Sequence, residues 1–213
     1  MQQPPITPPF KRIDVINDLQ SKQNAYLTLS ASLALLVGTL SVFLAACLWI
    51  QSQRGTIITN LNFYLLWTAV AALCTAVFFI MMRPRFSKTP GLSPRIQAVF
   101  LLIAPALICG TLIPLWLALT GHRQTYITTL WMLFYGLALL STASFAPQTI
   151  IALGWGFLTS GLLAIAVVLF GHDLRVHDTR TAALFMFWTF GLLHLLYGIG
   201  VHSSLRNKKK TSD

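Results

Sequence analysis

Residues 26–50 read YLTLSASLALLVGTLSVFLAACLWI, an apolar stretch without a charged side chain. A helix rises about 1.5 Å per residue, so a stretch of this length crosses the roughly 30 Å hydrocarbon core of a bilayer. Comparable apolar stretches follow at 61–82, 96–119, 127–145, 149–170 and 181–203. The sequence therefore predicts an all-α fold, a polytopic membrane bundle of six transmembrane helices in one domain over residues 26–203.

The composition and the distribution of charge both favour a membrane protein. Of the 213 residues 55% are hydrophobic and 9% are charged, against about 25% charged in soluble domains. The net charge of +10 would suit a nucleic-acid partner, but the 15 Lys and Arg residues lie at the ends of the apolar stretches. Eleven of them fall in 1–25, 83–95 and 204–213. Because cytoplasmic loops are enriched in Lys and Arg, we expect a multi-pass protein of the bacterial inner membrane, with both termini cytoplasmic and no nucleic-acid partner.

The chain before the first span is polar and has two parts. Residues 1–10 are rich in proline, and beyond them Ile13, Ile16 and Leu19 recur every three residues between polar side chains. This spacing favours a short amphipathic N-terminal helix at the membrane surface, with a plain polar lead-in as the alternative. Together with the basic tail at 204–213, this segment offers a contact site for a cytoplasmic protein partner.

Prolines and aromatic residues predict details of the spans. Pro105 and Pro114 both lie inside the third span. Membrane helices tolerate proline where neighbouring groups satisfy the freed carbonyls, and we expect a bent or locally unwound helix there. Aromatic side chains near the predicted helix ends, Tyr64 and Trp67 among them, are typical of the headgroup level of a bilayer.

His194 is the most informative residue for function. It lies near the centre of the sixth span, whereas the other histidine of the predicted spans, His202, lies at the cytoplasmic edge. Such a group usually faces the bundle interior, so His194 and Tyr197, one turn further on, are candidates for binding a proton or a ligand. The alternative is a neutral histidine that is hydrogen-bonded to a neighbouring helix. No carboxylate lies in any predicted span, which argues against coupled ion transport.

Small residues at helical spacing predict where two helices approach closely. In the fifth span these are Gly154, Gly156 and Ser160, of which the last two form a small-xxx-small pair. Gly191 and Gly198 share a helix face with His194 in the sixth span. We interpret all five residues as packing positions.

The loop before the sixth span gathers groups that transition metals use as ligands. They are His172, Asp173 and His177, with His122 in a loop on the same side of the membrane. Arg175 and Arg180 would pair with the aspartates, and we favour a solvated loop with no bound metal and no cofactor. Asp178 and Thr179 are good N-cap residues, so we expect them to cap the sixth helix.

Motifs of the common enzyme classes do not occur in this sequence. It has no phosphate-binding P-loop, no HExxH, no CxxC and no GxSxG. We therefore expect a protein that is not an enzyme.

Three segments resemble those of a known family. They are Leu130–Leu139 (LWMLFYGLAL), Leu153–Leu158 (LGWGFL) and Phe190–Gly198 (FGLLHLLYG). Their order and spacing are similar to those of small bacterial six-helix membrane proteins, which are often encoded beside winged-helix transcriptional regulators. The resemblance implies a fold and a signalling context and supplies no activity.

Three classes of function follow from these observations. The first is a non-catalytic membrane protein that senses a signal or binds a partner, and we favour it because the spans contain no carboxylate. The second is a transporter or channel subunit with His194 in the pathway, for which a homo-oligomer is expected because six short helices enclose little space. The third is a membrane-embedded enzyme.

Overall fold

The computed structural model describes residues 9–86, 94–144, 146–170 and 178–210. Within these ranges every regular element is a helix, which confirms the predicted all-α class. The helices are α1 (Pro9–Gln53), α2 (Asn60–Phe86), α3 (Pro94–Leu119), α4 (Gln124–Ser141), α5 (Gln148–Phe170) and α6, which is continuous over three segments (Asp178–Met186, Phe187–Leu193 and His194–Lys210).

Five of these helices are long and apolar enough to cross a membrane. The stretches concerned are Ser30–Gln53, Asn60–Met81, Leu101–Leu119, Gln148–Phe170 and Asp178–Asn207. Large apolar side chains such as Phe43, Leu101 and Phe170 point outward from them and are exposed. An apolar outer surface of this kind is costly in water and suits contact with lipid.

The remaining helix, α4, differs from the predicted span at 127–145. It has 18 residues, begins earlier and ends at Ser141. Its first turns carry four polar residues that are all buried: Gln124, Thr125, Thr128 and Thr129. These side chains face the interior of the protein, where α4 packs between α3 and α5. With this polar start, α4 is not among the helices that are long and apolar enough to cross a membrane.

Helix α1 is one continuous element of 45 residues. It has no break near Tyr26, so the segment predicted as a separate N-terminal helix and the first span form one helix. At about 1.5 Å per residue it is about 67 Å long, more than twice the hydrocarbon thickness of a bilayer. Part of α1 therefore extends beyond any membrane that its apolar part crosses.

The local irregularity predicted for the third span occurs instead in α6. Helix α3 remains α-helical through both Pro105 and Pro114. In α6, the residues Phe187–Leu193 form a π-helix, although this segment contains no proline. A π-helix has i→i+5 hydrogen bonds in place of i→i+4, and such segments are frequent at functional sites.

Helices α1 and α6 approach each other through glycines of α6. A Cβ on Gly191 would lie 2.9 Å from Cγ2 of Val42, and one on Gly198 would lie 3.0 Å from the Ala31 carbonyl. The Gly191 distance is shorter than real Cβ contacts and the Gly198 distance is tighter than most of them, so alanine at either position would force a neighbouring group to move.

Helices α4 and α5 pack in the same manner. A Cβ on Gly136 would lie 2.8 Å from the backbone nitrogen of Leu158, and one on Gly154 would lie 3.0 Å from Cγ of Leu140. At Gly156 the nearest atom, in Leu193, would be 3.4 Å away, which is an ordinary contact. The close approach on α5 therefore involves Gly154, and the pair formed by Gly156 and Ser160 is not the tight contact.

The ends of α4 and α6 are joined by Asp178. Its carboxylate accepts hydrogen bonds from the backbone N–H groups of Gln124 (2.6 Å) and Thr125 (3.2 Å) and from the Thr125 hydroxyl (2.8 Å). Capping of the sixth helix was the expected role, but this carboxylate caps the N-terminus of α4. A carboxylate is well suited to the unpaired N–H groups and the positive end of the dipole there.

Candidate functional site

His194 is buried at the centre of the helix bundle and pairs with a tyrosine of another helix. Its side chain is 3% exposed, and its Nε2 lies 3.0 Å from the hydroxyl of Tyr135 on α4. The hydrogen bond links α4 to α6 at the first residue after the π-helical segment. Polar side chains that join two membrane helices in this way stabilise the bundle.

Aromatic rings from three helices surround the imidazole. The ring centroid of Phe157 on α5 is 5.3 Å from that of His194, and Phe190 on α6 stacks on His194 at 5.9 Å with an angle of 18° between the rings. Tyr135 completes the group, at 4.7 Å from Phe157 and 5.2 Å from Phe190. These distances are typical of favourable aromatic pairs. The three rings, which we call the aromatic cage, therefore hold His194 in one orientation.

Backbone groups of Thr189 and Phe190 interact with the His194 ring, and no well-aligned hydrogen bond from a described residue reaches its second nitrogen. Its Nδ1 is buried without a hydrogen bond. A neutral imidazole has one N–H donor and one nitrogen acceptor, so one of these two groups stays unpaired in either tautomer. A buried polar group without a well-formed hydrogen bond is costly.

A cavity of about 170 Å³ adjoins His194, and we call it the histidine cavity. Tyr197, the second residue predicted for the site, lies on its wall together with His194 and Tyr135. The hydroxyl of Tyr197 is 3.1 Å from that of Ser30 on α1. The structure thus brings the two predicted residues to one cavity, and it adds a third from α4.

A larger cavity of about 380 Å³ lies between α1, α2, α3, α4 and α6, and we call it the central cavity. The two cavities adjoin, because they share four lining residues, namely Leu33, Val37, Phe78 and Tyr135. The lining of the central cavity is mostly apolar, as is usual for sites that bind small molecules.

Trp67 is a buried residue that lines the central cavity. The side chain is 4% exposed, and its indole N–H has no hydrogen-bond acceptor among the residues with described positions. Tyr64 and Trp67, which were predicted near a helix end, are both buried inside the bundle. Tyr64 stacks on Trp131 at 5.4 Å, and its hydroxyl donates to the Thr111 carbonyl.

Of the candidate metal ligands, His122 is the one that lies within the described residues. His122 is exposed, with its ring 5.8 Å from that of Trp116. Over the described ranges no group of three or more His, Cys, Asp or Glu side chains is placed to hold a metal ion. His172, Asp173 and His177 lie outside the described residues.

The sequence analysis missed three residues that complete the site. Tyr135 was noticed as part of an apolar motif, and its position in the middle of a span was the signal that it needed a polar partner. Phe157 has no comparable signal, because an apolar ring in an apolar helix is unremarkable. Trp67 is the seventh residue of its predicted span, close enough to a helix end to be interpreted as an interfacial residue.

Comparison with known proteins adds no family to this description. No protein-family model, curated protein or solved structure matches the chain. A function must therefore be inferred from the residues themselves and from their arrangement.

Proposed function

We propose that this chain is a six-span protein of the bacterial inner membrane that binds a small molecule inside its helix bundle and acts as a non-catalytic sensor. The observation that carries this proposal is the pair of adjoining cavities that meet at Tyr135, whose hydroxyl pairs with the buried His194. Cavities of this kind with a few polar groups are the usual form of a small-molecule site.

The position of α4 supports a sixth span. Helices α3 and α5 each have the length and the hydropathy of a span. Since α4 connects them and packs against both, it has to return across the same layer. Its 18 residues correspond to about 27 Å, close to the thickness of the hydrocarbon core.

The continuity of α6 supports communication with the cytoplasm. The helix runs from the π-helical segment beside the cavities, through His194, to Lys210 without a break. Helix α1, which packs against α6 through Gly191 and Gly198, begins at Pro9. A change in packing at the site therefore reaches both segments that we assign to the cytoplasm, where a protein partner would bind.

The test is co-purification of a partner with the full-length protein from its native membrane. We expect a cytoplasmic protein to co-purify with the wild type and to be lost when residues 205–213 or 1–25 are deleted. Arg54→Ala, which removes an exposed basic residue at the other end of the bundle, is the matched control and should retain the partner. If no protein co-purifies with the wild type, the sensing proposal is wrong.

One observation favours a transporter as the second candidate. The adjoining cavities place His194 beside a potential path through the bundle. In that case His194→Ala would abolish solute flux into proteoliposomes that contain the purified protein. A wild-type protein without flux for any tested ion or small solute would leave the sensor as the better proposal.

A further inference from the structure

We propose that the central cavity holds the terminal part of a phospholipid acyl chain, which enters from the middle of the bilayer between α2 and α3. This proposal rests on the ligand-binding part of the proposed function and adds the chemical class of the ligand. The juxtaposition that supports it is an apolar cavity whose wall includes residues that are exposed on the outer surface of α2 and of α3.

The size and the lining of the cavity suit a hydrocarbon chain. The wall consists mostly of aliphatic and aromatic side chains from five helices, with no Asp, Glu, His, Lys or Arg among the lining residues. Water does not fill apolar cavities readily, and an empty space of about 380 Å³ would leave the surrounding side chains without contacts. This volume lies at the lower end of the range for small-molecule sites. The cavity therefore has room for part of one chain and not for a whole phospholipid.

Polar groups of the wall are paired within the protein or shielded from the cavity. The hydroxyls of Thr68, Thr75 and Thr111 each donate to a carbonyl of their own helix, at 2.8 Å in every case. The indole nitrogen of Trp67 is buried under neighbouring atoms, so it does not face the space inside the cavity. A charged or strongly polar ligand would lose its hydration here without compensation, whereas an acyl chain has no hydration to lose.

The mouth of the cavity lies between α2 and α3. Four of the lining residues are exposed on the outer surface of the bundle: Ala71, Thr75, Leu107 and Thr111. Helix α2 contributes no buried residue between Thr75 and Met81, so its second half leaves a gap beside α3. Nearer to the start of α2, the Tyr64 hydroxyl donates to the Thr111 carbonyl at 3.2 Å and ties the two helices together. The cavity is therefore open beyond this hydrogen bond, towards the second half of α2.

The depth of the mouth selects the part of a lipid that can enter. Ala71 lies eleven residues after Asn60, where the span on α2 begins, and Leu107 lies twelve residues before Leu119, where the span on α3 ends. These separations correspond to about 16 Å and about 18 Å, near the middle of a hydrocarbon core of about 30 Å. Phospholipid chains fill this layer, with their ester groups at its surface and their methyl ends at its middle. The mouth therefore meets the end of a chain and not the headgroup.

The test compares two photoreactive phosphatidylcholines in nanodiscs that contain the full-length protein. One probe carries a diazirine near the methyl end of an acyl chain, and the other carries it next to the ester. After illumination, peptide mass spectrometry locates the labelled residues. The reference is Ile108, which is 56% exposed on α3 and does not line the cavity, so that chains reach it from the bilayer.

We expect the chain-end probe to label Tyr135 and Phe190, which are partly buried and belong to the inner wall of the cavity. Relative to Ile108, the ester-proximal probe should label these two residues about five- to tenfold less, because its diazirine stays near the surface of the hydrocarbon core.

Two neighbouring alanines of α2 provide a variant and its matched control. Ala71→Phe places a phenyl ring in the mouth and should reduce labelling of Tyr135 and Phe190 by the chain-end probe about five- to tenfold, because the ring fills the entry space. Ala72 is also exposed on α2 but does not line the cavity. Ala72→Phe should therefore be labelled like the wild type, and both variants should keep the labelling of Ile108.

Three results would overturn the proposal. A wild-type protein that is labelled at Ile108 but not at Tyr135 or Phe190 would show that no chain enters the cavity. Equal labelling of these two residues by both probes would contradict entry by the end of the chain. Undiminished labelling in Ala71→Phe would contradict a mouth between α2 and α3.

The outcome is separable from that of the sensor proposal. Labelling of the inner wall that depends on Ala71, in a protein without a cytoplasmic partner, would support the ligand class and contradict the sensor. A partner that co-purifies with a protein whose inner wall is not labelled would contradict the ligand class and leave the sensor standing.

Discussion

At the scale of single residues, the site consists of polar atoms that are buried in an apolar bundle. His194 shares one hydrogen bond with Tyr135, while its Nδ1 and the Trp67 indole make no well-aligned hydrogen bond with a described residue. Protein interiors seldom leave buried polar groups unpaired. His194 and Trp67 each line one of the two adjoining cavities, so the polar residues of the bundle lie around the space that we connect with binding.

Removal of the Tyr135 hydroxyl should weaken the bundle. Tyr135→Phe keeps the ring contacts and deletes the hydrogen bond to His194, so we expect a loss of about 0.5–1.5 kcal/mol in the free energy of unfolding. Reversible unfolding in mixed micelles would measure it. Tyr126→Phe is the control, because Tyr126 is 38% exposed, and it should change the stability by less than about 0.5 kcal/mol. Equal stability of both variants would contradict a stabilising role for the pair.

At the scale of helices, the bundle depends on a few close approaches and on one cap shared between helices. Gly136 brings α4 against the backbone of α5, and Gly191 brings α6 against α1. These contacts hold the π-helical segment and the aromatic cage between neighbouring helices. Asp178, at the start of α6, completes the first turn of α4.

A methyl group at Gly136 should force α4 and α5 apart. The nearest atom to the added Cβ belongs to the Leu158 backbone and cannot rotate away, so Gly136→Ala should destabilise the protein by about 1–3 kcal/mol. At Gly200 a Cβ would meet nothing within 4 Å. Gly200→Ala should be neutral or stabilising by up to about 1 kcal/mol, because alanine is the better helix former. Thermal unfolding should give clearly different midpoint temperatures for the two variants. An unchanged midpoint temperature for Gly136→Ala would mean that α4 and α5 are not in such close contact.

Loss of the Asp178 carboxylate should destabilise the start of α4. Asp178→Ala leaves the N–H groups of Gln124 and Thr125 without their acceptor, at a cost of about 0.5–2 kcal/mol. Asp178→Asn retains one side-chain oxygen, so its stability should lie between that of Asp178→Ala and that of the wild type. Hydrogen exchange of the first turn of α4 would locate the effect. An effect confined to α6 would contradict the shared cap.

At the scale of the whole molecule, the two ends of the bundle differ in chemistry. The end that holds the start of α4 and of α6 is cross-linked by polar contacts between loops. Gln124 donates to the Ile58 carbonyl at 2.7 Å, and Asn60 donates to the His122 carbonyl at 2.7 Å. The opposite end carries most of the Lys and Arg residues of the sequence. This division is what the proposed orientation requires, with a rigid outer end and a basic cytoplasmic end.

Reporter fusions test that orientation directly. A reporter that is active in the cytoplasm should be active when it is fused after Arg85 or after Asp213, and inactive after Asp173. A reporter that requires export should give the opposite pattern. Activity of the cytoplasmic reporter at Asp173 would contradict the assignment from charge, and a disagreement between the Arg85 and Asp213 fusions would contradict the even number of spans.

The sequence by itself determined which segments are helical and apolar, because hydrophobic length relative to the bilayer is a local property. It also placed His194 at depth and on one face with Gly191 and Gly198, because that follows from helical spacing. Only the tertiary structure decided that Tyr135 is the partner of His194. It likewise decided that Asp178 caps α4. Lipid and protein interior are equally apolar, so hydrophobicity cannot tell which side of a span meets lipid and which meets another helix. Packing between distant segments of the chain decides this, and the same packing forms the two cavities.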